Sequence, residues 1–135
     1  MAVNEAIPYY EPGGRITAHA VAALTGKRFC VISGNRQSGP AVSDATGGGN
    51  VLVNAPTAAG RVFGVTSHDV AVGGKVTILR GSGFVVPVVA AGAIAAFAEV
   101  EVDAQGRVVT KAAGVAVGFV LTAAINGGEA QVALY

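Results

Sequence analysis

Short apolar segments alternate with turn residues along most of this chain. After residue 14, brief runs rich in valine and isoleucine are separated by Gly, Asn, Asp, Ser and Pro at intervals of about 8–12 residues. In the best-defined runs, apolar and polar residues alternate with the period of two that a half-buried strand requires. The pattern therefore predicts an all-β fold, either a small β-barrel or a β-sandwich, built from hairpins.

Two hairpins are the clearest elements that the pattern predicts. Residues 99–102 and 107–110 flank a four-residue turn that ends in Gly106, and residues 118–121 and 130–134 flank Asn126-Gly127-Gly128. Further strands are predicted at residues 16–21, 29–32, 51–53, 61–66, 70–72, 75–79 and 84–86. The pattern also leaves room for one or two short helices, within residues 90–98 or residues 121–125.

Residues 1–14 predict an extended N-terminal arm. Pro8 and Pro12 disfavour a helix and cannot donate hydrogen bonds to a ladder. Tyr9 and Tyr10 each carry a large apolar ring with one polar group. We expect these rings either to pack against the flank of the domain or to contact a neighbouring subunit or partner. The candidate contact residues of the arm are Ile7, Pro8, Tyr9, Tyr10 and Pro12.

Residues 15–135 are predicted to form a single β-rich domain, because 135 residues are too few for two domains of ordinary size. The longest predicted loop, residues 33–50, contains five glycines. Gly-Arg followed by a β-branched residue recurs with a spacing of 46 residues, at Gly14-Arg15, Gly60-Arg61 and Gly106-Arg107. Because the chain holds 26 Ala, 23 Val and 20 Gly, such a spacing can arise by chance. Only superposable hairpins in the structure would make it a true repeat.

Composition and charge exclude several classes of protein. Hydrophobic residues make up 52% of the chain and charged residues 13%, which is incompatible with a disordered, solvated chain. Nine basic and eight acidic residues give a formal net charge of +1, so no strong field would attract nucleic acid or an anionic membrane. The uncharged run at residues 84–98 is shorter than the ~20 residues of a membrane-spanning helix. The N-terminus also lacks the pattern of a secretory signal.

The sequence contains no motif of a catalytic, cofactor or metal site. Its glycine clusters lack the remainder of a phosphate-binding loop, and no serine lies in a Gly-x-Ser-x-Gly turn. One cysteine excludes a disulfide within the chain and a cysteine-based zinc site. Cys30 with His19 or His68 is the remaining nucleophile and base, but Cys30 lies in an apolar run that predicts burial. Glu99 and Glu101 share one face of a strand and are expected to be solvated. We therefore predict no enzyme, with a small Cys/His hydrolase as an alternative.

Four groups of strand and turn residues stand out in the second half of the chain. They are Phe63-Gly64-Val65-Thr66; Asp69-Val70-Ala71-Val72-Gly73-Gly74-Lys75-Val76; Val100-Glu101-Val102-Asp103 with Gly106-Arg107-Val108-Val109; and Val117-Gly118-Phe119-Val120-Leu121-Thr122-Ala123-Ala124 with Gly127-Gly128-Glu129-Ala130-Gln131-Val132-Ala133-Leu134. Together, over roughly residues 60–135, they resemble the small capsid decoration (cement) proteins of tailed bacteriophages.

The resemblance implies a structural protein on the outer surface of a phage head, made in the host cytoplasm. Proteins of this kind are compact β-rich domains, often homotrimers, that bind the major capsid protein and clamp adjacent subunits. The resemblance implies no cofactor, no nucleic acid and no membrane as partners. An arm that orders on the shell is common among them, and Ile7 to Pro12 is the candidate segment here. The alternative is another β-domain of the virion, such as a head-fibre or tail component.

Overall fold

A computed structural model describes residues 14–35 and 50–135 of the chain, and these residues form ten β-strands and no helix. The prediction of an all-β fold is confirmed. The strands are β1 (Arg15–Ala20), β2 (Phe29–Gly34), β3 (Val51–Asn54), β4 (Gly64–Thr66), β5 (Lys75–Leu79), β6 (Val85–Val89), β7 (Glu99–Val102), β8 (Val108–Thr110), β9 (Gly118–Val120) and β10 (Glu129–Leu134).

The first five strands close into a barrel, which we call the N-terminal barrel, with the strand order β1-β3-β2-β4-β5. β1 pairs antiparallel with β5 and parallel with β3, whereas β2 pairs antiparallel with both β3 and β4. Along β1, Ile16, Ala18 and Ala20 are buried while Arg15 and Thr17 are exposed. This alternation points the apolar side chains into the barrel, as the period of a strand requires.

The last five strands form a second sheet, which we call the C-terminal sheet, in the order β6-β10-β9-β7-β8. Its edge strands β6 and β8 approach each other through one parallel bridge between Ala90 and Val108, and the N–H of Ala91 donates to the Val108 carbonyl at 2.9 Å. Pro87 lies within β6, which pairs with β10 on one side only. An edge strand accommodates a proline because that residue cannot donate to a second ladder.

The N-terminal barrel and the C-terminal sheet share one plan. Strands β1 to β5 correspond in order and pairing to β6 to β10, since the antiparallel pairs β1–β5, β4–β5, β2–β4 and β2–β3 recur as β6–β10, β9–β10, β7–β9 and β7–β8. The registers agree as well: Ala18 faces Val76 in the barrel, and Val88 faces Ala130 in the sheet. The parallel β1–β3 pair corresponds to the Ala90–Val108 bridge. The chain therefore contains the same five-stranded arrangement twice.

Each unit carries a pair of loops with the same backbone geometry. We call residues 21–28 with 67–74 the N-terminal loop pair, and residues 91–98 with 121–128 the C-terminal loop pair. Within each pair the loops are joined by an antiparallel bridge, Leu24–Val70 or Ile94–Ala124, whose two hydrogen bonds both measure 2.9 Å. Three residues after each bridge residue the backbone takes a positive φ, at Lys27 (59°), Gly73 (81°), Phe97 (68°) and Gly127 (79°).

The 46-residue spacing is a structural repeat in part. Within the N-terminal barrel, the same spacing separates Leu24 from Val70 and Lys27 from Gly73, which occupy equivalent positions in the paired loops. Gly106-Arg107 is not equivalent, because it lies in the turn between β7 and β8. The repeat therefore links the two halves of the N-terminal barrel and does not extend to a third copy.

The two short helices that the sequence allowed are absent from the described part of the chain. Residues 90–98 and 121–125 instead form the loops that meet at the Ile94–Ala124 bridge. Alanine-rich segments of this length are too short to hold a helix alone, and here their backbone groups bond to each other and to neighbouring strands. Tertiary pairing has overridden the local preference.

The two units pack against each other through backbone hydrogen bonds and shared apolar residues. Phe29 N–H donates to the Gly106 carbonyl at 2.8 Å, and Val89 N–H donates to the Lys27 carbonyl at 3.0 Å. Phe29 and Val65 of the N-terminal barrel belong to the same buried cluster as the core of the C-terminal sheet. None of the described segments, 14–35 or 50–135, contains a helix that is long and apolar enough to cross a membrane.

Candidate binding surfaces

Cys30 lies in the core of the N-terminal barrel, out of contact with solvent. Its side chain is fully buried in the N-terminal barrel, and Sγ donates to the Gly64 carbonyl at 3.5 Å. Burial raises the pKa of the Cys30 thiol to about 12, although the hydrogen bond to Gly64 opposes this shift. A thiol becomes a good nucleophile only as a thiolate. Cys30 therefore behaves as a small core residue, as its apolar neighbours in the sequence predicted.

The two histidines contact groups other than Cys30. His19 is buried on β1, and its Nδ1 lies 3.3 Å from the Nζ of Lys75. His68 is exposed in the N-terminal loop pair, with Nδ1 2.8 Å from the carbonyl oxygen of Asp69. In residues 14–35 and 50–135, no three His, Cys, Asp or Glu side chains are grouped closely enough to hold a metal ion.

Glu101 departs from its predicted environment, whereas Glu99 does not. Glu99 is exposed and accepts a hydrogen bond of 2.6 Å from the hydroxyl of Tyr135. That hydrogen bond is the main cause of a raised pKa of Tyr135. Glu101 is only 9% exposed, and its Oε2 accepts hydrogen bonds from the N–H groups of Ala112 and Gly114. The loop after β8 has folded over this carboxylate, so its role is to anchor backbone.

The C-terminal loop pair presents apolar side chains to solvent. Phe97 and Ile125 are each 75% exposed, and Leu121 is 39% exposed. Neither loop contains a charged residue. The loops are tied together where Phe97 N–H donates to the Val120 carbonyl at 2.9 Å, next to Leu121. Several exposed apolar side chains on one pair of loops are typical of a surface that binds another protein.

The N-terminal loop pair has the same backbone but a different surface. It carries Lys27, Arg28, His68 and Asp69. Lys27 forms an ion pair with Glu129 of β10, so that one of these loops is fastened to the C-terminal sheet. Its partner loop is held by a hydrogen bond of 2.8 Å from Gly26 N–H to Asp69 Oδ1.

A further pair of equivalent sites lies beside β7 and β2. Beside β7, Ala59 is inserted between the end of the strand and residue 115: its N–H donates to the Val102 carbonyl at 2.8 Å, and its carbonyl accepts from Val115 N–H at 3.0 Å. Beside β2, no residue of the described segments is inserted at the equivalent place, which is a cleft with a volume of about 430 Å³. Its lining is apolar apart from two arginines and consists of Val31, Ile32, Arg61, Val62, Phe63 and Arg80.

The candidate contact residues of the arm, Ile7, Pro8, Tyr9, Tyr10 and Pro12, lie outside the described residues, as does most of the glycine-rich loop. The exposed residues of the C-terminal loop pair were not identified from the sequence. A signal was present, since residues 91–98 and 121–128 are free of charge. The sequence pattern allowed short helices in these segments, and a run of small apolar residues gives no indication of which positions face solvent.

Comparisons with known proteins agree with this architecture. The chain is similar to the head fiber gp8.5 N base of bacteriophage phi29, with a TM-score of 0.69, 15% sequence identity, and coverage of 90% of this chain and 92% of that chain. This likeness concerns the fold. No curated protein matches the sequence. The family model of the phage cement protein matches residues 4–135. This match extends well beyond the segment of roughly residues 60–135 that carried the resemblance, and the chain therefore belongs to the phage cement protein family, whose members are structural components of the virion.

Proposed function

We propose that this protein binds the outer surface of a phage capsid and stabilises the head by bridging subunits of the major capsid protein. It does so as a homotrimer and without enzymatic activity, cofactor, nucleic acid or membrane. Membership of the cement family supports a capsid as the partner. The burial of Cys30 and the raised pKa of its thiol support the absence of catalysis.

The observation that carries the proposal is the surface of the C-terminal loop pair. Phe97, Leu121 and Ile125 stand exposed on two loops that the bridge and the strand ends hold rigidly. Large apolar side chains on a rigid base lose little conformational entropy on binding, and they supply most of the energy in many protein interfaces. This surface is the capsid-binding face of the protein.

The arm supplies a second contact in this proposal. Ile7, Pro8, Tyr9, Tyr10 and Pro12 bind the capsid or a neighbouring subunit, because tyrosine gives a large contact area with a polar group at its tip. Many weak contacts, multiplied by the symmetric copies on a shell, produce a high avidity. Residues 15–135 act as one domain that carries the first contact, and the arm that precedes this domain carries the second.

The test is cosedimentation of the full-length protein with empty phage heads. We expect the double variant Phe97→Ser/Ile125→Ser to bind at least about tenfold more weakly, because both central apolar anchors are lost. The matched control is Val72→Ser, which removes a side chain of similar exposure, 69%, from the N-terminal loop pair. Equal weakening by Val72→Ser, or unchanged binding by the double variant, would show that the C-terminal loop pair is not the binding face.

Bridging is tested separately from binding. Heads that carry the wild-type protein should release their DNA at a higher temperature than bare heads, because clamped capsid subunits resist internal pressure. Binding in stoichiometric amounts without any change in the release temperature would contradict the bridging role.

A second candidate function is the base of a head fibre. The likeness to the head fiber base of phi29 favours it, since the two folds match over most of both chains. Electron micrographs of decorated heads distinguish the candidates: a cement protein appears as a low tile on the shell, and a fibre base continues into a projection.

A further inference from the structure

The cleft beside β2 exists because a ladder stops early. β2 pairs with β4 at Phe29–Val65 and Cys30–Gly64, and Phe63 N–H still donates to the Cys30 carbonyl at 2.7 Å. Beyond this point, in the part of the chain that the structure describes, the strand ladder does not continue between Ile32 and residues 61–62. The two backbones separate there and leave the cleft.

The C-terminal sheet shows the same interruption at the equivalent place. Val117 N–H donates to the Val100 carbonyl at 3.0 Å, as Phe63 does to Cys30, and the direct pairing then stops. Here the gap between Val102 and Val115 is occupied by Ala59, which bonds to both. In the C-terminal sheet, the interruption of the ladder is therefore a binding site for Ala59, a residue of the other unit. We call this gap and the equivalent cleft beside β2 the two sockets.

The segment that fills the socket has its own counterpart in the chain. Ala59 lies in the segment Ala58-Ala59-Gly60, whose last residue precedes Gly64, at the start of β4, by four positions. Ala112-Ala113-Gly114 stands at the same distance before Gly118 at the start of β9. Ala112 and Ala113 are exposed, and Glu101 holds their loop in place. The described residues therefore contain two sockets and two Ala-Ala-Gly segments. The first segment, through Ala59, already occupies the socket beside β7.

We propose that the open cleft of one copy binds the Ala112-Ala113-Gly114 loop of a second copy. Ala113 of that copy takes the place that Ala59 takes in the C-terminal sheet, donating to the Ile32 carbonyl and accepting from Arg61 N–H. The contact repeats between chains the interface that joins the two units within one chain. Such a head-to-tail contact closes into a ring when the rotation between copies allows it. The inference rests on the homotrimer of the proposed function and names its interface.

The apolar lining of the cleft suits this occupant. Ile32 is 46% exposed in the single chain, and Val62 and Phe63 line the cleft beside it. Arg80 stiffens the opposite wall, because its Nε donates to the Phe63 carbonyl at 3.0 Å and its guanidinium stacks on the Phe63 ring at 4.4 Å. Two alanines and a glycine are small enough to enter a cleft of about 430 Å³ with their backbone.

Cysteine cross-linking of the full-length protein tests the proposal. In the variant Ile32→Cys/Ala113→Cys, mild oxidation should give covalent oligomers on a non-reducing gel, since the two positions meet across the interface. Native Cys30 stays in place because it is buried. The control Ile32→Cys/Ala104→Cys carries its second cysteine on the exposed turn after β7 and should run as uncross-linked single chains on the same gel. A disulfide within one chain, or no cross-link, overturns the proposal.

A second measurement uses no cysteine. The variant Ala113→Arg should shift the sedimentation equilibrium toward monomer by at least about tenfold in dissociation constant, because the larger side chain cannot enter the socket. Ala104→Arg is the matched control and should leave the equilibrium unchanged. Equal behaviour of the two variants overturns the proposal. Capsid binding is assayed on the same samples, so that a protein that forms oligomers but does not bind heads contradicts the proposed function alone.

Discussion

The N-terminal barrel and the C-terminal sheet have the same strand order, register and loop geometry, yet they expose different chemistry. The loop pair of the barrel carries Lys27, Arg28, His68 and Asp69, and it is fastened to the rest of the molecule through the Lys27–Glu129 ion pair. The loop pair of the sheet carries no charge and exposes the large apolar side chains of Phe97, Leu121 and Ile125. The residues that determine the shared strand order and loop geometry are therefore different from those that determine the binding surface.

The shared plan depends on a small number of positions. Positive φ values at Lys27, Gly73, Phe97 and Gly127 let each loop turn into its next strand. Two of these residues are not glycine, and a side chain in the left-handed region costs roughly 1–2 kcal/mol. The two loop pairs differ in sequence at most of their other positions. One pair can therefore serve a contact inside the molecule and the other a contact outside it.

The largest loss of stability is expected where a side chain is added to a glycine that lies against backbone in both units. A Cβ at Gly64 would lie 2.6 Å from the Leu79 carbonyl oxygen, and a Cβ at Gly118 would collide with the equivalent Ala133 carbonyl. We expect Gly64→Ala and Gly118→Ala each to lower the free energy of unfolding by about 3 kcal/mol or more, because backbone cannot move aside as a flexible side chain can. Urea denaturation followed by circular dichroism measures the loss.

Gly92→Ala is the control for these variants. It adds the same methyl group where no atom lies within 4 Å. The free energy of unfolding should then change by no more than about 0.5 kcal/mol. A loss at Gly118 without a similar loss at Gly64 would mean that the two units do not depend on the same contact.

The second prediction concerns a core position at which the two units differ. Cys30 is buried in the barrel and Val100 is buried in the sheet, each next to the start of its strand. Because the pKa of Cys30 is raised from 9.0 to about 12, the folded chain keeps a proton that the unfolded chain releases above about pH 9. The contribution of the Cys30 thiol to the free energy of unfolding is therefore fully present below pH 9. It falls by up to about 1.4 kcal/mol per pH unit as the pH rises toward 12.

The variant Cys30→Val isolates this dependence. It gives the barrel the residue that the sheet has, and it should unfold with a shallower decline between pH 9 and pH 11. Other groups, including Tyr135, titrate in both proteins, so the quantity to compare is the difference between the two stability curves. Parallel curves over this interval would mean that the thiol titrates normally in the fold.

Most of the strands could be predicted from the sequence, but the duplicated five-stranded arrangement could not. The hairpins around Gly106 and Gly127 follow from turn residues between alternating segments, and β7, β8, β9 and β10 form as predicted. The duplication stayed hidden because its units share backbone geometry and few identical residues: Leu24, Val70, Ile94 and Ala124 have only an apolar character in common. Glu101 was expected to be solvated, since no local pattern reveals that a loop ten residues later will cover it.

The candidate site shows a similar division. Burial of Cys30 follows from the apolar run around it and could be predicted from the sequence. Exposure of Phe97 and Ile125 was not, because it depends on which side of the bridge each side chain projects. A positive φ at a phenylalanine has no sequence signature at all.

The smallest change in the free energy of unfolding is expected for a substitution of Phe97 in the C-terminal loop pair. Phe97 combines a φ of 68° with a side chain that is 75% exposed, so the fold bears the strain of a left-handed residue and gains little burial from it. We expect Phe97→Gly to leave the free energy of unfolding unchanged or to raise it by up to about 1 kcal/mol, since glycine adopts this conformation without strain. Ala96→Gly, one residue earlier and without a positive φ, should lower it by about 0.5–1 kcal/mol. If Phe97→Gly is instead clearly destabilising, the ring contributes to the fold of the isolated chain, and its exposure is then no sign of a binding role. If stability is kept while capsid binding is lost, the phenylalanine is retained for the contact it makes with another protein.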